Sequence, residues 1–141
     1  LMQAVIPKMK EKNFGRIINI TSAMVKNPHL IMGLSTSARS GLHGLSKALS
    51  REVAQYNITI NNVLPERIDT DRQTQILNFQ AKLADSTYEE AKKELEETLT
   101  AKRMGTVEEF SGICTFLCSE QAAYISGQNI SVDGGNSTNL I

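Results

Sequence analysis

The segment Ile58-Thr-Ile-Asn-Asn-Val-Leu64, which Pro65 follows, decides the fold. It is a short run with several β-branched residues that a proline stops, as expected of a buried strand. Two runs of similar character lie elsewhere in the chain, at residues 16–20 (RIINI) and 128–132 (QNISV). Helical patterns separate the three runs. Strands that alternate with helices in this way predict an α/β fold with a parallel sheet that helices cover on both faces.

The longest helical pattern follows a loop that contains Pro28 and Gly33, and it ends at Asn57. An apolar stripe runs along this helix and marks the face expected to meet the core. The stripe consists of Leu34, Ala38, Leu42, Leu45, Leu49 and Val53. A first helix is expected from residue 1 to Asn13, where a Phe-Gly pair follows.

Three further helix starts are marked by Ser or Thr with Glu or Gln three residues later, which is the capping-box pattern. The three motifs are Thr70-x-x-Gln73, Ser86-x-x-Glu89 and Thr106-x-x-Glu109. The first two predict a pair of helices broken near Asp85, and the third predicts a helix that runs to about Ser119.

Composition limits the class of protein. The 141 residues are enough for one domain with a real core, and 40% of them are hydrophobic. Fifteen basic and fifteen acidic residues cancel, so no net field favours nucleic acid or an anionic membrane as a partner. No apolar run approaches a membrane span. Cys114 and Cys118 lie in an apolar helical stripe, so buried free thiols and a cytoplasmic location are expected.

Polar and turn-forming residues follow each predicted strand. Thr21 and Ser22 follow the first strand, residues 65–70 the second, and Asp133-Gly134-Gly135 the third. In open α/β sheets, ligands bind outside the carboxyl ends of the strands. The sequence therefore predicts a binding site at this edge of the sheet.

Four motifs follow one another along the chain: Gly15-Arg-Ile-Ile-Asn-Ile-Thr-Ser22, Ile60-Asn-Asn-Val-Leu-Pro65 with Ile68-Asp-Thr70, Arg103-Met-Gly-Thr-Val-Glu-Glu109, and Ile125-Ser-Gly-Gln-Asn-Ile-Ser-Val-Asp-Gly-Gly135. In this order they resemble the short-chain dehydrogenases/reductases, close to the 3-oxoacyl-acyl-carrier-protein reductase group. The likeness spans nearly the whole chain. It implies the C-terminal half of a Rossmann-type doubly wound parallel sheet, with its last three strands, and the N-terminal nucleotide-binding half missing.

The resemblance implies hydride transfer between NAD or NADP and a carbonyl or hydroxyl carbon. It makes Ser22 the serine that hydrogen-bonds the substrate oxygen. The family's tyrosine, the general acid/base, corresponds to Ser35, and its lysine corresponds to Arg39. Arg39 keeps a positive charge for ribose hydroxyls, although its planar fork differs from an ammonium group. Ser35 is no simple replacement, because an aliphatic hydroxyl is far less acidic than a phenol and lies closer to the backbone.

Other implied features concern the cofactor and the substrate. Pro65, Ile68 and Thr70 correspond to the turn that contacts the nicotinamide carboxamide, although the same residues also suit a plain turn and helix cap. Glu66 stands where the family usually has glycine, which puts a carboxylate near the nicotinamide. Residues 71–105 correspond to a helical substrate lid within the single partial domain 1–141.

Two histidines are alternative proton donors. His43 shares a helix face with Ser35 and Arg39, but a surface or subunit-interface histidine is the expected role because it lies two turns away. His29, in the loop after Ser22, is better placed for the chemistry, although lone loop histidines are usually solvated. Residues 33–37 nearly match the G-x-S-x-G motif that carries the nucleophile of α/β-hydrolases. The final glycine of the motif is missing and no strand runs directly into the segment, so a serine nucleophile is not expected here.

Two functional hypotheses follow. The first is an NAD(P)-dependent oxidoreductase acting on a small carbonyl, hydroxyl or acyl-thioester substrate, with Ser22, Arg39 and either a water chain or His29 in the active site. The second is a catalytically silent homologue that binds nucleotide or stabilises an oligomer, which Ser35 favours. A homodimer or homotetramer is implied for the full-length protein. The chain alone is expected to be inactive, because it has no Gly-rich phosphate loop.

Overall fold

The three β-branched runs form one parallel sheet. The structure, a computed structural model, describes residues 1–140. Its strands are β1 (Gly15–Ile20), β2 (Ile58–Pro65) and β3 (Asn129–Val132). The sheet order is β1-β2-β3 and both pairings are parallel, with β2 in the centre. The predicted parallel α/β sheet is therefore confirmed.

Five helices and three short 3-10 turns connect the strands. The helices are α1 (Met2–Lys12), α2 (Gly33–Val53), α3 (Asp71–Leu83), α4 (Tyr88–Thr98) and α5 (Val107–Cys118). The 3-10 turns are Ala23–Val25, Leu30–Met32 and Ala54–Tyr56. Asn13 ends α1 and Asn57 ends the turn after α2, both in the left-handed conformation that asparagine tolerates.

Helices cover the two faces of the sheet with separate apolar clusters. On one face, Ile6 of α1 and Val53 of α2 pack with Ile58 and Ile60 of β2. On the other face, Val63 of β2 packs with Leu117 of α5 and with Ala122. Alternate residues of β2 therefore point to opposite faces, as the strand period requires. A third cluster, Leu77, Leu99 and Met104, holds the α3–α4 segment together.

A row of asparagines crosses the sheet and fixes its register. Asn19, Asn62 and Asn129 are aligned on neighbouring strands. Asn19 Nδ2 donates to Asn62 Oδ1 at 2.9 Å, and Asn62 Nδ2 donates to Asn129 Oδ1 at 2.7 Å. Asn19 Nδ2 also reaches Ser46 Oγ on α2 at 3.0 Å. A register shift would leave these amides unpaired, which is costly for the buried Asn62.

The face of α2 that meets the core differs from the predicted one. Of the apolar stripe, Leu34 is 93% exposed and Leu45 is 53% exposed, whereas Val53 is buried. The buried face carries mostly small or polar side chains: Thr36, His43, Ser46, Ser50 and Val53. His43 hydrogen-bonds Thr21 after β1, Ser46 bonds Asn19 of β1 and the helix backbone, and Ser50 bonds the helix backbone. Small side chains let the helix lie close to β2. Leu42, Leu45 and Leu49 line an open groove beside α1 and β1, and Leu49 also packs against the core cluster around Ile58 and Ile60.

Two smaller predictions are also corrected. The cap of α4 is Thr87 with Glu90, one residue later than the predicted Ser86 and Glu89. Cys118 is exposed, because α5 turns it away from the sheet, and only Cys114 is partly buried in the apolar cluster. The predicted break at Asp85 is confirmed by its left-handed φ of 51°.

The other two predicted capping boxes differ in how many of their hydrogen bonds are present. The Thr106–Glu109 capping box of α5 is confirmed. At α3, Thr70 Oγ1 accepts from Gln73 N–H at 3.4 Å, so the serine/threonine half of the predicted box is present.

Candidate active site

The carboxyl ends of all three strands lie at one edge of the sheet, because the strands are parallel. Backbone hydrogen bonds continue past the strand ends and tie the following segments together. Thr21 N–H donates to Val63 C=O at 2.9 Å, and Glu66 N–H donates to Val132 C=O at 3.1 Å. The structure therefore brings the segments that begin at Thr21, Glu66 and Asp133 to a common edge.

Ser22 follows β1 in an extended conformation and caps the turn Ala23–Val25. Its Oγ accepts a hydrogen bond from Met24 N–H at 3.2 Å, and the residue is half-buried. That bond uses the hydroxyl as an acceptor, so its proton stays available for a ligand oxygen. Ser22 is held in place with its donor free.

Ser35 and Arg39 lie in the first turns of α2, and both are half-buried. Arg39 Nη1 donates to Ser35 C=O at 3.4 Å, as the i, i+4 spacing permits. No hydrogen bond joins Ser22 to either residue within residues 1–140. The Arg39 guanidinium makes only this one long hydrogen bond within residues 1–140, so its other N–H groups remain available to a ligand.

The turn after β2 presents unpaired backbone groups at Ile68. A parallel bridge links Ile68 to Gly105, in which Gly105 N–H donates to Arg67 C=O at 3.0 Å and Asp69 N–H donates to Gly105 C=O at 2.8 Å. In this pattern the N–H and C=O of Ile68 itself point away from Gly105. An amide group fits such a donor–acceptor pair, so the turn suits the carboxamide of a nicotinamide. Arg67 has a left-handed φ of 52°, which turns the chain there.

Glu66 separates two cavities at this edge. One, of about 210 Å³, is lined by residues of the loop after Ser22 together with Glu66. The other, of about 220 Å³, lies towards Asp133, Gly134 and Arg103. Glu66 Oε1 accepts from Asn136 Nδ2 at 2.9 Å. Sequence reasoning did not single out Asn136, because a contact 70 residues away in the chain leaves no local signal.

The structure corrects the expected position of His43. This residue is 7% exposed rather than on the surface, and its Nε2 lies 2.8 Å from Thr21 Oγ1. Burial, and secondarily the charge of Lys26, lowers the pKa of His43. A neutral, buried ring that already bonds Thr21 is a structural partner of the segment that carries Ser22.

The lowered pKa of His43 predicts that the stability of the fold depends on pH. Because its folded-state pKa lies below the unfolded value of about 6.5, its neutral form stabilises the fold fully above that pH. The free energy of unfolding is expected to fall as pH drops below about 6.5, since the unfolded chain takes up the proton first. Replacing His43 with Gln should remove this slope in urea titrations between pH 6.5 and 5.

The matched control is His29→Asn, which removes the other histidine and should leave the slope unchanged. Glu109, whose pKa the Arg103 guanidinium lowers to about 2, contributes stability that is lost as pH falls through the ordinary carboxyl range of about 4.3 and below, so most of its effect lies under the pH range of this test. A slope that persists in the His43→Gln variant would contradict the assignment.

The described residues hold neither a metal-binding cluster nor a membrane-spanning helix. Residues 1–140 contain no group of three or more His, Cys, Asp or Glu side chains arranged to hold a metal ion. None of the helices described is both long enough and apolar enough to cross a membrane.

A parallel sheet with helices on both faces and a polar site at its carboxyl edge defines an α/β protein of the Rossmann type. The family model described as "Enoyl-(Acyl carrier protein) reductase" matches residues 1–137. The chain belongs to the short-chain dehydrogenase/reductase family, as its motifs predicted.

Two curated relatives and one solved structure illustrate the similarity. The NADPH-dependent reductase BacG of Bacillus subtilis is 38% identical over 128 residues, which are 91% of this chain and 49% of BacG. The 3-oxoacyl-[acyl-carrier-protein] reductase FabG of Aquifex aeolicus is 35% identical over 133 residues, 94% of this chain and 49% of FabG. The crystal structure of YwfH, an NADPH-dependent reductase involved in bacilysin biosynthesis, has a TM-score of 0.90 at 34% identity and covers 99% of this chain and 53% of YwfH. The chain thus spans about half the length of these relatives.

Proposed function

We propose that the protein is an NAD(P)-dependent oxidoreductase that moves a hydride between a nicotinamide and the carbonyl or hydroxyl carbon of a small molecule, with 3-oxoacyl thioesters as the first substrate class to test. One observation carries this proposal: Ser22, with a free hydroxyl proton, and the unpaired backbone of Ile68 lie at the same sheet edge. The first group suits a substrate oxygen and the second suits a carboxamide.

Each residue of the candidate site has a role in the proposed reaction. A bound nicotinamide supplies the hydride chemistry. Ser22 donates a hydrogen bond to the substrate oxygen and so stabilises the negative charge that develops there. Arg39 holds ribose hydroxyls, while Pro65, Ile68 and Thr70 receive the carboxamide end. Ser35 occupies the tyrosine position without its acidity, so the proton must come from another group.

The surrounding features fit the same proposal. We place α3 and α4 within a substrate lid at residues 71–105, because this segment has its own apolar cluster and follows the Ile68 turn directly. The names of BacG and YwfH make NADPH the first cofactor to test, with NADH as the comparison. We also propose that the protein is cytoplasmic and that it assembles as a homodimer or homotetramer. Residues 1–141 would lie within one domain.

A second candidate is a catalytically silent homologue that binds nucleotide or stabilises an oligomer. The serine at the tyrosine position is the observation that favours it. The two candidates differ in turnover, and a silent homologue that binds nucleotide shares cofactor binding with the oxidoreductase, whereas one that only stabilises an oligomer does not.

The test uses the full-length protein, NADPH or NADH, and a panel of ketones and 3-oxoacyl thioesters. Consumption of the reduced nicotinamide is followed by absorbance, and cofactor binding is measured by calorimetry. Turnover with at least one member of the panel is the expected result. Normal binding without turnover would support the silent nucleotide-binding homologue, and absence of binding would contradict both that homologue and the oxidoreductase.

A further inference from the structure

We infer that His29 and Glu66 form the acid/base pair of the proposed reaction, with His29 donating the proton and Glu66 orienting its imidazole. This inference rests on the proposed function. It identifies a proton donor, a role that Ser35 cannot fill. It concerns two side chains from different parts of the chain that line one cavity next to Ser22.

The cavity that both residues line lies beside the residues that follow Ser22. It has a volume of about 210 Å³ and is lined by Ala23, Met24, Asn27, Pro28, His29 and Glu66. Ala23 is the residue after Ser22, and Met24 N–H donates to Ser22 Oγ. Ser22 itself does not line the cavity, but its two neighbours do, so a substrate oxygen bound at Ser22 would lie close to the cavity that His29 and Glu66 share.

Glu66 is anchored so that half of its carboxylate stays free. Its backbone N–H donates to Val132 C=O, and its Oε1 accepts from Asn136 Nδ2. Within residues 1–140 the second oxygen, Oε2, has no hydrogen-bond partner. A carboxylate fixed on one side and open on the other is suited to hold an imidazole N–H and to fix its tautomer.

His29 is the histidine whose ring is available. Its backbone is extended, with φ −118°, and its C=O accepts from Met32 N–H at 2.9 Å, which fixes the start of the turn Leu30–Met32. Neither ring nitrogen is hydrogen-bonded in the described part of the chain, whereas His43 uses Nε2 on Thr21. Charged side chains on the adjoining segments include Lys26 in the same loop, Arg39 on α2, Arg67 next to Glu66, and Asp133 after β3.

The proton transfer completes a balanced reduction. The carbonyl carbon accepts a hydride, with its electron pair, from the reduced nicotinamide, which is thereby oxidised. The carbon–oxygen π bond breaks, and the oxygen takes the proton of the His29 imidazolium. The ring is left neutral and recovers a proton from water. Alcohol oxidation runs the same steps in reverse, with the neutral ring accepting the proton.

The test compares His29→Asn with Leu30→Asn in the full-length protein. Leu30 is 94% exposed and adjacent, so it controls for a polar substitution in the same loop. His29→Asn is expected to lower kcat for reduction about 10²-fold, the scale of general acid catalysis, without changing NADPH affinity. The pH dependence of the wild-type rate should differ from that of His29→Asn, because the variant has no imidazole to exchange the proton.

Glu66→Gln tests the orienting role. Glutamine keeps an oxygen for Asn136 but removes the charge, so kcat is expected to fall about tenfold with a displaced pH profile. Glu108→Gln on the exposed start of α5 is the matched control. A readout independent of turnover is the imidazole Cε1–H signal of His29 in NMR spectra, assigned by its loss in His29→Asn. It should shift when a 3-oxoacyl thioester is added.

The outcomes separate this inference from the proposed function. Wild-type turnover together with an unchanged rate and pH profile in His29→Asn would overturn the acid/base pair and leave the oxidoreductase standing. An imidazole signal that does not respond to the thioester would count against the pair in the same way. A wild-type protein that turns over no substrate would overturn the oxidoreductase and this inference together.

Discussion

Ser22→Ala is expected to lower kcat/KM for carbonyl reduction by about 10²–10³-fold, the cost typical of removing one donor to a developing oxyanion. The Ser22 hydroxyl receives a hydrogen bond from Met24 N–H and keeps its own proton for the substrate oxygen. Alanine removes that donor at the sheet edge. Steady-state kinetics with NADPH and a 3-oxoacyl thioester measure the loss.

The same hydroxyl also caps the turn Ala23–Val25, so the structural effect must be separated from the chemical one. Ser22→Thr keeps both the cap and the donor and should retain most of the activity. Ser111→Ala, which removes an exposed hydroxyl on α5, should change nothing. Equal rates for Ser22→Ala and wild type would show that Ser22 does not contact the substrate.

A tyrosine and a lysine at positions 35 and 39 are expected to restore activity to the His29→Asn variant by about 10²-fold or more. Ser35→Tyr places a phenol on the first turns of α2, and Arg39→Lys places an ammonium group one turn later, which favours the ionised phenol. The pair would supply the proton that His29 no longer gives. Initial rates in the triple variant measure the gain.

The control moves the phenol to the wrong side of the helix. Ser37 is exposed and lies two residues from Ser35, about 200° around α2. The combination Ser37→Tyr, Arg39→Lys and His29→Asn should therefore stay inactive. An equal gain in both triple variants, or no gain in a folded Ser35→Tyr protein, would show that this end of α2 does not face the reacting atoms.

The strands and most helix ends could be predicted because their signals are local. The β-branched run at residues 58–64 ends at a proline, and Thr106 with Glu109 carries both halves of a capping box. The start of α4 was missed by one residue because Ser86 and Thr87 are both capable caps, and each has a glutamate three residues on. Local chemistry alone does not choose between them.

The buried face of α2 could not be read from hydrophobicity. His43 and Ser46 face inward and hydrogen-bond Thr21 and Asn19, whereas Leu34 and Leu45 of the predicted core stripe are exposed. Burial of polar groups depends on partners from distant strands, and a periodicity argument does not include them.

The candidate site also combines features that the sequence predicts with features that only the tertiary structure shows. The order of motifs predicted that Ser22, residues 65–70 and Asp133 meet at one sheet edge, because parallel strands require it. The contact of Asn136 with Glu66, the free backbone of Ile68 and the cavity shared by His29 and Glu66 are tertiary features. They emerge only when the turns after β1, β2 and β3 are placed side by side.

Isotope transfer tests the central claim most directly. The full-length protein is incubated with a 3-oxoacyl thioester or ketone and NADPH deuterated at the C4 position that is transferred, and the product is analysed by mass spectrometry. The proposed oxidoreductase predicts one deuterium on the carbinol carbon of the product, formed at a rate that falls with Ser22→Ala. Consumption of the cofactor without deuterium in any product, or no consumption despite normal binding, would contradict hydride transfer at this sheet edge.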